Sequence, residues 1–357
     1  MTGSHAAWAE GYAHYSAHSV QILGLEGRHW KWRMHGGAVT LARKYLESNH
    51  RPDLILATDM LDLTTFLALA GKHLGRAKTV VYFHENQISY PWSKSDPDTH
   101  LGRDVHYGFI NYTSALVADA VAFNSRHHLD FFFWELERFL KRFPDHNELE
   151  TVRDIRGKSR VLPLGLDLER LEKHRPSSDR QGPPLILWNH RWEYDKNPEE
   201  FFRVLFELRV EGLGFEVAIL GEQFTRTPEI FADAQQTLGE GIIQCGFAED
   251  FGRYAELLWQ ADIMPVTSIH DFFGASVVQG IYCNCYPLLP KRLAYPEHIP
   301  AESHDEFFYE DFEDLKTRLR DRVVDIEGTR RIVTSDFVRH YDWQTMAPLY
   351  DEFFLSL

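Results

Sequence analysis

Short apolar runs alternate with segments of helical spacing along most of this 357-residue chain. Clear apolar runs cover residues 53–57, 79–83, 120–123 and 185–189, and segments with apolar residues three and four positions apart lie between them. Strands that alternate with helices form a parallel sheet, because each helix returns the chain to the same end of the sheet. The pattern predicts an α/β protein with doubly wound, Rossmann-like sheets.

The length of the chain predicts two such domains. One hydrophobic core rarely serves more than about 250–300 residues, and a hydrophobic content of 44% is enough for two cores. Residues 168–184 are rich in charge, Pro and Gly, as is typical of a linker. We therefore expect an N-terminal domain over residues 1–167, a linker over 168–184, a C-terminal domain over 185–335 and a final helical segment over 336–357.

Composition argues against several classes of protein. No apolar run approaches the length of a membrane span, and residues 1–20 lack the features of a signal peptide, so we expect a cytoplasmic protein without a membrane partner. The net charge of −15 argues against a generally basic nucleic-acid binder, so RNA would have to contact a local patch. Three cysteines, Cys245, Cys283 and Cys285, predict neither a disulfide framework nor a zinc site.

Residues 268–290 combine a polar loop with the start of a helix. They follow an apolar run at 261–266, and helical spacing begins at Gly274. A helix N-terminus offers unpaired N–H groups, so an anion such as a diphosphate could approach the backbone at Gly274. Asp271 could then face sugar hydroxyls and Gln279 a ribose. The alternative is an ordinary strand, turn and helix in which Asp271 only caps the helix.

Residues 185–202 place two cations, five residues apart, directly after an apolar strand. Arg191 offers a planar fork and Lys196 a point charge, which together could neutralise two phosphates. Residues 197–200 have the form of an N-cap, a Pro at the first helical position and acids in the first turn. The alternative is a solvated loop whose two acids cancel the cations. We favour ligand binding and expect Lys196 to lie on a loop outside the core.

A polar cluster follows the predicted strand at 79–83. Ligands in open α/β sheets bind beyond the carboxyl ends of the strands, so His84 and the three polar residues after it lie where a site is expected. An isolated His would more often be satisfied by backbone partners, but these neighbours favour a functional role. A polar loop at 91–102 is long enough to touch an acceptor.

Several motifs resemble known families. Asp271-Phe272-Phe273-Gly274 with Gln279 is similar to the motif of family 4 glycosyltransferases, and Arg191 with Lys196 is similar to their diphosphate-binding pair. Asp271 and Gln279 stand where the broader family usually has Glu, and Gln279 lacks the charge. Four further motifs resemble the tRNA-queuosine mannosyltransferase family: G-R-H-W-K-W-R-M at 27–34, F-H-E-N-Q at 83–87, N-H-R-W-E-Y-D-K-N-P at 189–198 and Y-C-N-C-Y-P at 282–287.

The resemblance covers nearly the whole chain and implies a GT-B fold, in which two Rossmann-like domains face each other across a cleft and a C-terminal helix crosses back to the first domain. It implies retaining transfer of mannose from GDP-mannose to queuosine in tRNA, with His84 contacting the sugar rather than removing a proton. Neither a metal nor a cofactor is expected, because we identify no Asp-x-Asp pair in a suitable loop. Two alternatives stay open: transfer to a small molecule or glycan, and a non-catalytic protein that binds sugar nucleotides.

The motifs and the resemblance together give the predicted site residues. The catalytic set is Arg191, Lys196, Asp271 and His84, the donor-binding set is Asn189, Phe273, Gly274, Gln279, Gly3 and Ser4, and the acceptor-side set is Glu85, Asn86, Gln87, His106 and Asn111. In the resembled family a strand precedes the Gly3-Ser4-His5 loop. We therefore expect the first strand of the N-terminal sheet to be missing and this loop to lie at the cleft.

Overall fold

A computed structural model describes residues 3–91, 104–178, 180–222 and 228–357. The chain forms two compact units, one comprising Met1–Leu166 with Trp343–Leu357 and the other Asp167–Asp342. Each unit is α/β and contains one wholly parallel sheet. The fold class predicted from the alternation of strands and helices is confirmed.

The N-terminal unit builds its sheet from four strands in the order β1-β2-β3-β4, which is their order along the chain. Its elements up to residue 161 are α1 (Gly3–Tyr15), α2 (Trp30–Ser48), β1 (Leu54–Thr58), α3 (Leu63–Ala70), β2 (Lys78–Phe83), α4 (Asp104–Val117), β3 (Ala120–Phe123), α5 (Arg126–Leu140), α6 (Thr151–Gly157) and β4 (Ser159–Val161). The two central strands are fully buried except for the first residue of β2. Their apolar side chains form the core beneath the helices.

Two features near the start of this unit differ from the sequence-based expectation. The sequence of residues 20–25 predicts a strand, but they lie in an irregular segment, and their side chains are exposed or half-buried. The sequence also predicts a polar and aromatic insertion at 30–33 before a helix at 38–46, but residues 30–33 form the first turn of α2. The buried face of α2 continues across the paired glycines at 36 and 37.

The C-terminal unit has a six-stranded sheet with the order β10-β9-β8-β5-β6-β7. Its helices and strands are α7 (Glu169–Glu172), β5 (Leu185–Asn189), α8 (Pro198–Val210), β6 (Glu216–Leu220), α9 (Ile230–Leu238), β7 (Ile242–Gly246), α10 (Phe251–Gln260), β8 (Ile263–Pro265), α11 (Ala275–Tyr282), β9 (Tyr286–Pro290), α12 (His304–Phe307), β10 (Phe308–Tyr309), α13 (Phe312–Val324), α14 (Ile326–Thr329) and α15 (Ser335–Val338). The chain runs outward from β5 to β7 and then returns to the other side of β5. This reversal of strand order is typical of a doubly wound sheet.

Residues 168–184, expected as a linker, belong to the C-terminal unit. Leu168 and Leu171 are fully buried. The backbone of Leu168 donates to Asp342 Oδ2 at 2.9 Å, and Trp259 Nε1 donates to Leu171 O at 2.8 Å. The start of the segment is therefore packed against the C-terminal unit, whereas residues 175–178 and 181–183 are exposed.

Short 3-10 helices complete the two units, at Gly71–Leu74, Tyr194–Lys196, Gly239–Gly241, Tyr295–Glu297, Ala301–Ser303 and Arg339–Tyr341. The last helix of the chain, α16 (Trp343–Leu355), belongs to the N-terminal unit, as expected for a helix that crosses back. Among the described residues, no helix combines the length and the apolar character that a bilayer crossing requires.

Helix α16 holds helix α1 in place. Trp8 Nε1 on α1 donates to Tyr350 Oη at 3.1 Å, and Tyr350 Oη donates to Pro163 O at 2.9 Å. The carboxylate of Asp351 accepts three hydrogen bonds, from Tyr12 Oη at 2.8 Å, Ser16 Oγ at 2.6 Å and Ala17 N at 2.8 Å. Segments more than 330 residues apart in sequence are therefore joined by buried hydrogen bonds.

We expect Asp351→Ala to destabilise the N-terminal unit by about 2–4 kcal/mol, because it leaves several buried donors without an acceptor. Urea unfolding monitored by circular dichroism measures the change. Glu352→Ala, at the exposed neighbouring position, is the control and should alter stability by less than about 0.5 kcal/mol. Equal stability of both variants would show that Asp351 does not hold the two helices together.

Candidate functional site

The candidate site in the C-terminal unit lies at the switch point of the sheet. Strands β5 and β8 are neighbours, and the chain leaves their carboxyl ends in opposite directions, which opens a crevice between the two following loops. Ile269 N donates to Asp195 O at 2.9 Å, and Thr267 Oγ1 donates to Lys196 O at 2.9 Å. These bonds fix the loop after β5 against the loop after β8.

Lys196 lies at the centre of this arrangement. Its Nζ donates to His270 O at 2.8 Å and lies 3.3 Å from Asp271 Oδ2 and 3.2 Å from Asp195 Oδ2. The residue is only 8% exposed. The expectation that Lys196 lies outside the core was therefore wrong, because the turn Tyr194–Lys196 folds beneath the loop that follows β8.

Both partners of the central ion pair are held in their charged forms. Burial lowers the pKa of Lys196, but the nearby carboxylates of Asp271 and Asp195 outweigh burial, and the pKa lies above its ordinary value. Burial raises the pKa of Asp271, but Lys196 and the imidazoles of His190 and His270 bring that pKa down to about 2. The pair is therefore ionised throughout the physiological pH range.

Arg191 lies at the rim of the site and pairs with Glu193, its Nη2 lying 3.2 Å from Glu193 Oε2. Its side chain is 45% exposed. The next residue is anchored, since Trp192 stacks on Phe231 with ring centroids 4.0 Å apart and donates from Nε1 to Leu220 O at 3.2 Å. Arg191 thus combines an accessible cation with a firmly held backbone.

Gly221 allows the loop that follows β6 to approach the β5 loop closely. A Cβ at this position would lie 2.0 Å from His190 O, and the φ of 122° is one that side chains rarely adopt. His190 itself is buried, and burial, followed by the charge of Lys196, lowers its pKa to about 4. The backbone leading into the site is therefore tightly packed around a neutral imidazole.

Helix α11 begins where the sequence predicted. Gly274 is its N-cap residue, with a φ of 85°, and a Cβ there would lie 3.0 Å from Tyr295 Cε1. Asp271 does not cap this helix, because its Oδ1 accepts from Phe273 N within the loop at 3.3 Å. Phe273 O in turn accepts from the buried imidazole of His298. The interpretation of Asp271 as only a helix cap is not supported by these contacts.

Gln279 belongs to a polar network inside the unit. Tyr254 Oη donates to Gln279 Oε1 at 2.7 Å, and Asn189 Nδ2 donates to Tyr254 Oη at 3.1 Å and to Ser276 O at 3.0 Å. Two of the predicted donor-binding residues are thus joined by Tyr254, which the sequence analysis missed. The three residues lie far apart in sequence, so spacing offered no signal for this contact.

The candidate site in the N-terminal unit centres on His84, directly after β2. His84 N donates to Asp59 Oδ1 at 2.9 Å, and its ring lies 4.2 Å from the ring of His5 and 4.7 Å from that of Trp8. Burial, reinforced by neighbouring imidazoles, lowers the pKa of His84 well below its ordinary value. Its buried Nε2 has no hydrogen-bond partner among the described residues. Asp59, another residue that the sequence analysis missed, therefore holds the backbone that carries this neutral imidazole at the carboxyl end of β2.

Asn86 and Asn111, both predicted on the acceptor side, are buried and make hydrogen bonds within the unit. Asn86 Oδ1 accepts from Ser89 N at 2.9 Å. Asn111 Oδ1 accepts from Gln87 N at 2.7 Å, and Asn111 Nδ2 donates to Asp59 O at 2.8 Å. These contacts shape the loop after β2 rather than present amide groups at the surface.

The remaining predicted residues of this unit are more accessible. Glu85 is half-buried and accepts from Gln87 Nε2 at 3.2 Å. His106 is exposed on α4, and Gly3 and Ser4 are exposed in the first turn of α1. The expectation of a Gly3-Ser4-His5 loop was therefore wrong, because these residues are already helical. The expected acceptor loop at 91–102 lies outside the described residues except for Pro91.

The chain has the GT-B fold, which solved structures of glycosyltransferases share. HepE of Anabaena, in complex with UDP and glucose, matches with a TM-score of 0.63 and 15% identity over 90% of this chain and 83% of HepE. A glycosyltransferase from Rickettsia africae matches with a TM-score of 0.62 and 14% identity over 94% of this chain and 84% of that protein. The GT-B expectation is confirmed.

The sequence comparisons identify the family. Residues 1–166 match the family described as tRNA-queuosine alpha-mannosyltransferase N-terminal. The tRNA-queuosine alpha-mannosyltransferase of Drosophila melanogaster is 32% identical over 312 residues, which cover 84% of this chain and 80% of that protein. The chain belongs to the tRNA-queuosine alpha-mannosyltransferase family and is a glycosyltransferase, as its motifs predicted.

We expect Lys196→Ala to destabilise the C-terminal unit by about 3–5 kcal/mol, because two carboxylates would lose the buried cation between them. Urea unfolding measures the loss, and Lys291→Ala, an exposed lysine of the same unit, is the control. Adding Asp271→Asn to Lys196→Ala should restore part of the stability, since it removes one uncompensated charge. Wild-type stability in Lys196→Ala would contradict the structural role of the ion pair.

The low pKa of Asp271 predicts an acid-dependent stability. The pKa of the Asp271 carboxyl group is about 2 in the folded chain, against an ordinary value of 3.8 in the unfolded chain. The contribution of this group to the free energy of unfolding is therefore complete above about pH 4 and is lost as the pH falls towards 2. The difference in melting temperature between the wild type and Asp271→Asn should therefore shrink across this window. Asp233→Asn, on the exposed face of α9, provides a control in which no such convergence is expected.

Proposed function

We propose that this protein transfers mannose from GDP-mannose to queuosine in tRNA, with retention of configuration at the sugar. The observation that carries this proposal is the family membership, since the Drosophila relative at 32% identity is a tRNA-queuosine alpha-mannosyltransferase. The match to HepE, solved with UDP and glucose, supports a nucleotide-sugar donor. The polar groups at the switch point fit such a donor.

The diphosphate of the donor would lie between Arg191 and the start of α11. Gly274 has no side chain to obstruct the backbone N–H groups of that helix, and the accessible guanidinium of Arg191 can neutralise charge as the glycosidic bond breaks. A preorganised hydrogen-bond donor or cation at such a position lowers the activation barrier of the reaction by about 3–4 kcal/mol. These groups supply the stabilisation for which some glycosyltransferases use a metal ion, so we propose that the reaction needs none.

Asp271 would bind a hydroxyl group of the transferred sugar. A carboxylate has about four positions that accept hydrogen bonds, and within the described part of the chain three are taken, by Lys196 Nζ, Tyr295 Oη and Phe273 N, each at 3.3 Å. One position remains for a ligand. Lys196 keeps the carboxylate ionised and oriented, so the role of Lys196 is to position Asp271 as well as to add positive charge near the phosphates.

Gln279 would bind the ribose of the nucleotide, as its place in the motif implies. Its amide group offers four hydrogen-bonding positions, of which Tyr254 occupies one on Oε1. Tyr254 therefore fixes the orientation of the amide while leaving positions for a ribose hydroxyl. A Glu in place of Gln279 would keep the hydrogen bond from Tyr254, which explains how the two residue types can serve one role.

His84 would contact the transferred sugar without removing a proton. Its lowered pKa makes the imidazole a weak base, with little driving force for proton abstraction near neutral pH. Such a group suits a retaining reaction on the front face of the sugar, in which the leaving phosphate can receive the proton of the acceptor hydroxyl. The proposed role of His84 is therefore to orient the sugar.

The function is tested by incubating the protein with GDP-mannose, UDP-glucose or UDP-galactose together with bulk tRNA and then analysing the nucleosides by mass spectrometry. We expect queuosine to gain the mass of one hexose with GDP-mannose. The same product should form when the protein is treated with EDTA before the reaction. Bulk tRNA that lacks queuosine is the control substrate. Release of free sugar without any modified nucleoside would overturn the proposal.

We expect Arg191→Ala to lower kcat by about 100-fold or more while leaving stability within about 0.5 kcal/mol, because the side chain is exposed and would contact the diphosphate in the proposed complex. Arg191→Lys should restore only part of the activity, since the planar fork is lost. Arg203→Ala, which removes an exposed arginine from α8, is the matched control. Wild-type kcat in Arg191→Ala would remove this residue from the proposed diphosphate site.

A further inference from the structure

The first turn of α2 and the residue two positions before it form a surface rich in cations and indoles, in which the indoles are exposed and two of the three cations are half-buried. We call it the α2 patch, and it consists of Arg28, Trp30, Lys31, Trp32 and Arg33. Glu26 Oε2 lies 3.9 Å from Arg28 Nε, but no further acidic residue occurs in the sequence before Glu47, although the chain as a whole carries a net charge of −15. The patch is therefore a local positive surface on an acidic protein.

Trp32 is the most exposed aromatic side chain of the patch, at 68%. A Cβ on Gly36 would lie 2.8 Å from two carbons of the Trp32 ring, so the indole lies against the helix backbone one turn further on. The absence of a side chain at Gly36 is what gives the ring this position. An exposed ring that rests on the helix backbone is a ready surface for stacking.

Trp30 connects the patch to α4. Its ring centroid lies 5.4 Å from that of Tyr107, and Tyr107 also contacts the ring of His35 at 5.4 Å. The exposed His106, predicted on the acceptor side, is the neighbour of Tyr107 on the same helix. One turn later, Asn111 bonds to the loop that carries His84. Helix α4 thus ties the patch directly to the acceptor-side cluster.

We propose that the α2 patch binds unpaired nucleotides of the RNA acceptor, with a base stacked on Trp32 and the flanking phosphates on Arg28, Lys31 and Arg33. The proposal rests on the proposed transfer to tRNA and names the surface that recognises it. Single-stranded RNA is bound by aromatic side chains that stack on bases, beside cations that contact phosphates. The patch also provides positive charge that attracts the phosphates of RNA, which the net negative charge of the chain repels.

Binding is measured by fluorescence anisotropy with the full-length protein and a labelled RNA hairpin that has the sequence of an anticodon arm. A fully paired duplex of the same length serves as the comparison probe. We expect Trp32→Ala to weaken hairpin binding about 5- to 100-fold, and Trp32→Phe to retain most of the affinity, because a phenyl ring still stacks. The slope of log affinity against log salt should fall by about 0.7 in Lys31→Ala, since one phosphate contact is lost.

The chain offers matched controls for both kinds of contact. Trp134→Ala removes an indole that is 55% exposed on α5, and Arg43→Ala removes an exposed cation from the other end of α2. Neither should change hairpin affinity more than about twofold. Gly36→Ala keeps every charge and ring of the patch but displaces the Trp32 indole, so it should weaken hairpin binding without altering the salt slope.

Several outcomes would overturn the proposal. These are unchanged hairpin affinity in Trp32→Ala and Lys31→Ala, equal losses in the patch variants and the controls, and equal affinity for hairpin and duplex. Tighter binding of the patch to polyglutamate or to phosphatidylserine vesicles than to the hairpin would indicate an acidic protein or a membrane instead.

Nucleoside analysis of the same variants separates this proposal from the proposed function. If the wild type modifies tRNA and Trp32→Ala does so with the same KM for tRNA, the patch proposal fails alone. If the wild type modifies no RNA but its hairpin binding depends on Trp32 and Lys31, the transfer reaction fails while the RNA surface stands. A raised KM for tRNA with an unchanged KM for the donor in Trp32→Ala supports both.

Discussion

The buried ion pair between Lys196 and Asp271 is the interaction on which the C-terminal site depends. One loop follows β5 and the other follows β8, and without a link they would diverge at the switch point of the sheet. The pair joins them, and the hydrogen bonds donated by Ile269 N and by the Thr267 hydroxyl reinforce it. A charged pair at this depth is costly to desolvate, so stability alone gives no reason to place it there. Its value lies in presenting an ionised, oriented carboxylate at a fixed point.

Much of the C-terminal unit follows from local sequence. The start of α11 at Gly274 agrees with the expectation, because caps, glycines and apolar spacing are local signals. Contacts between distant residues gave no such signal. The burial of Lys196 depends on a turn folding under another loop, and the link from Tyr254 to Gln279 joins two helices. Motif spacing therefore located the candidate residues but not the network that orients them.

The structure of the N-terminal unit was harder to predict from the sequence, because the position of its first helix depends on contacts with its last helix. Helix α1 buries Trp8 and Tyr12 against α16, so residues near the beginning are ordered by residues near position 350. The segment at 20–25 has β-like composition, yet it is irregular and only partly buried. Local propensity fails there because packing rather than composition decides the outcome. Gly36 also departs from its local propensity, since glycine usually disfavours a helix but here lies within α2 and makes room for the ring of Trp32.

The proposed action on RNA presents a physical problem for an acidic chain, which the proposed role of the α2 patch resolves. A net charge of −15 repels a polyanion at long range, so association cannot rely on the field of the whole protein. At ionic strengths near 0.15 M that field is screened beyond about 8 Å, whereas cations that touch phosphates still release counterions. A compact patch beside exposed indoles can therefore bind RNA where an acidic surface elsewhere discourages non-specific binding. Selectivity then comes from the stacking surface at Trp32, which a fully paired helix cannot use because its bases are already stacked.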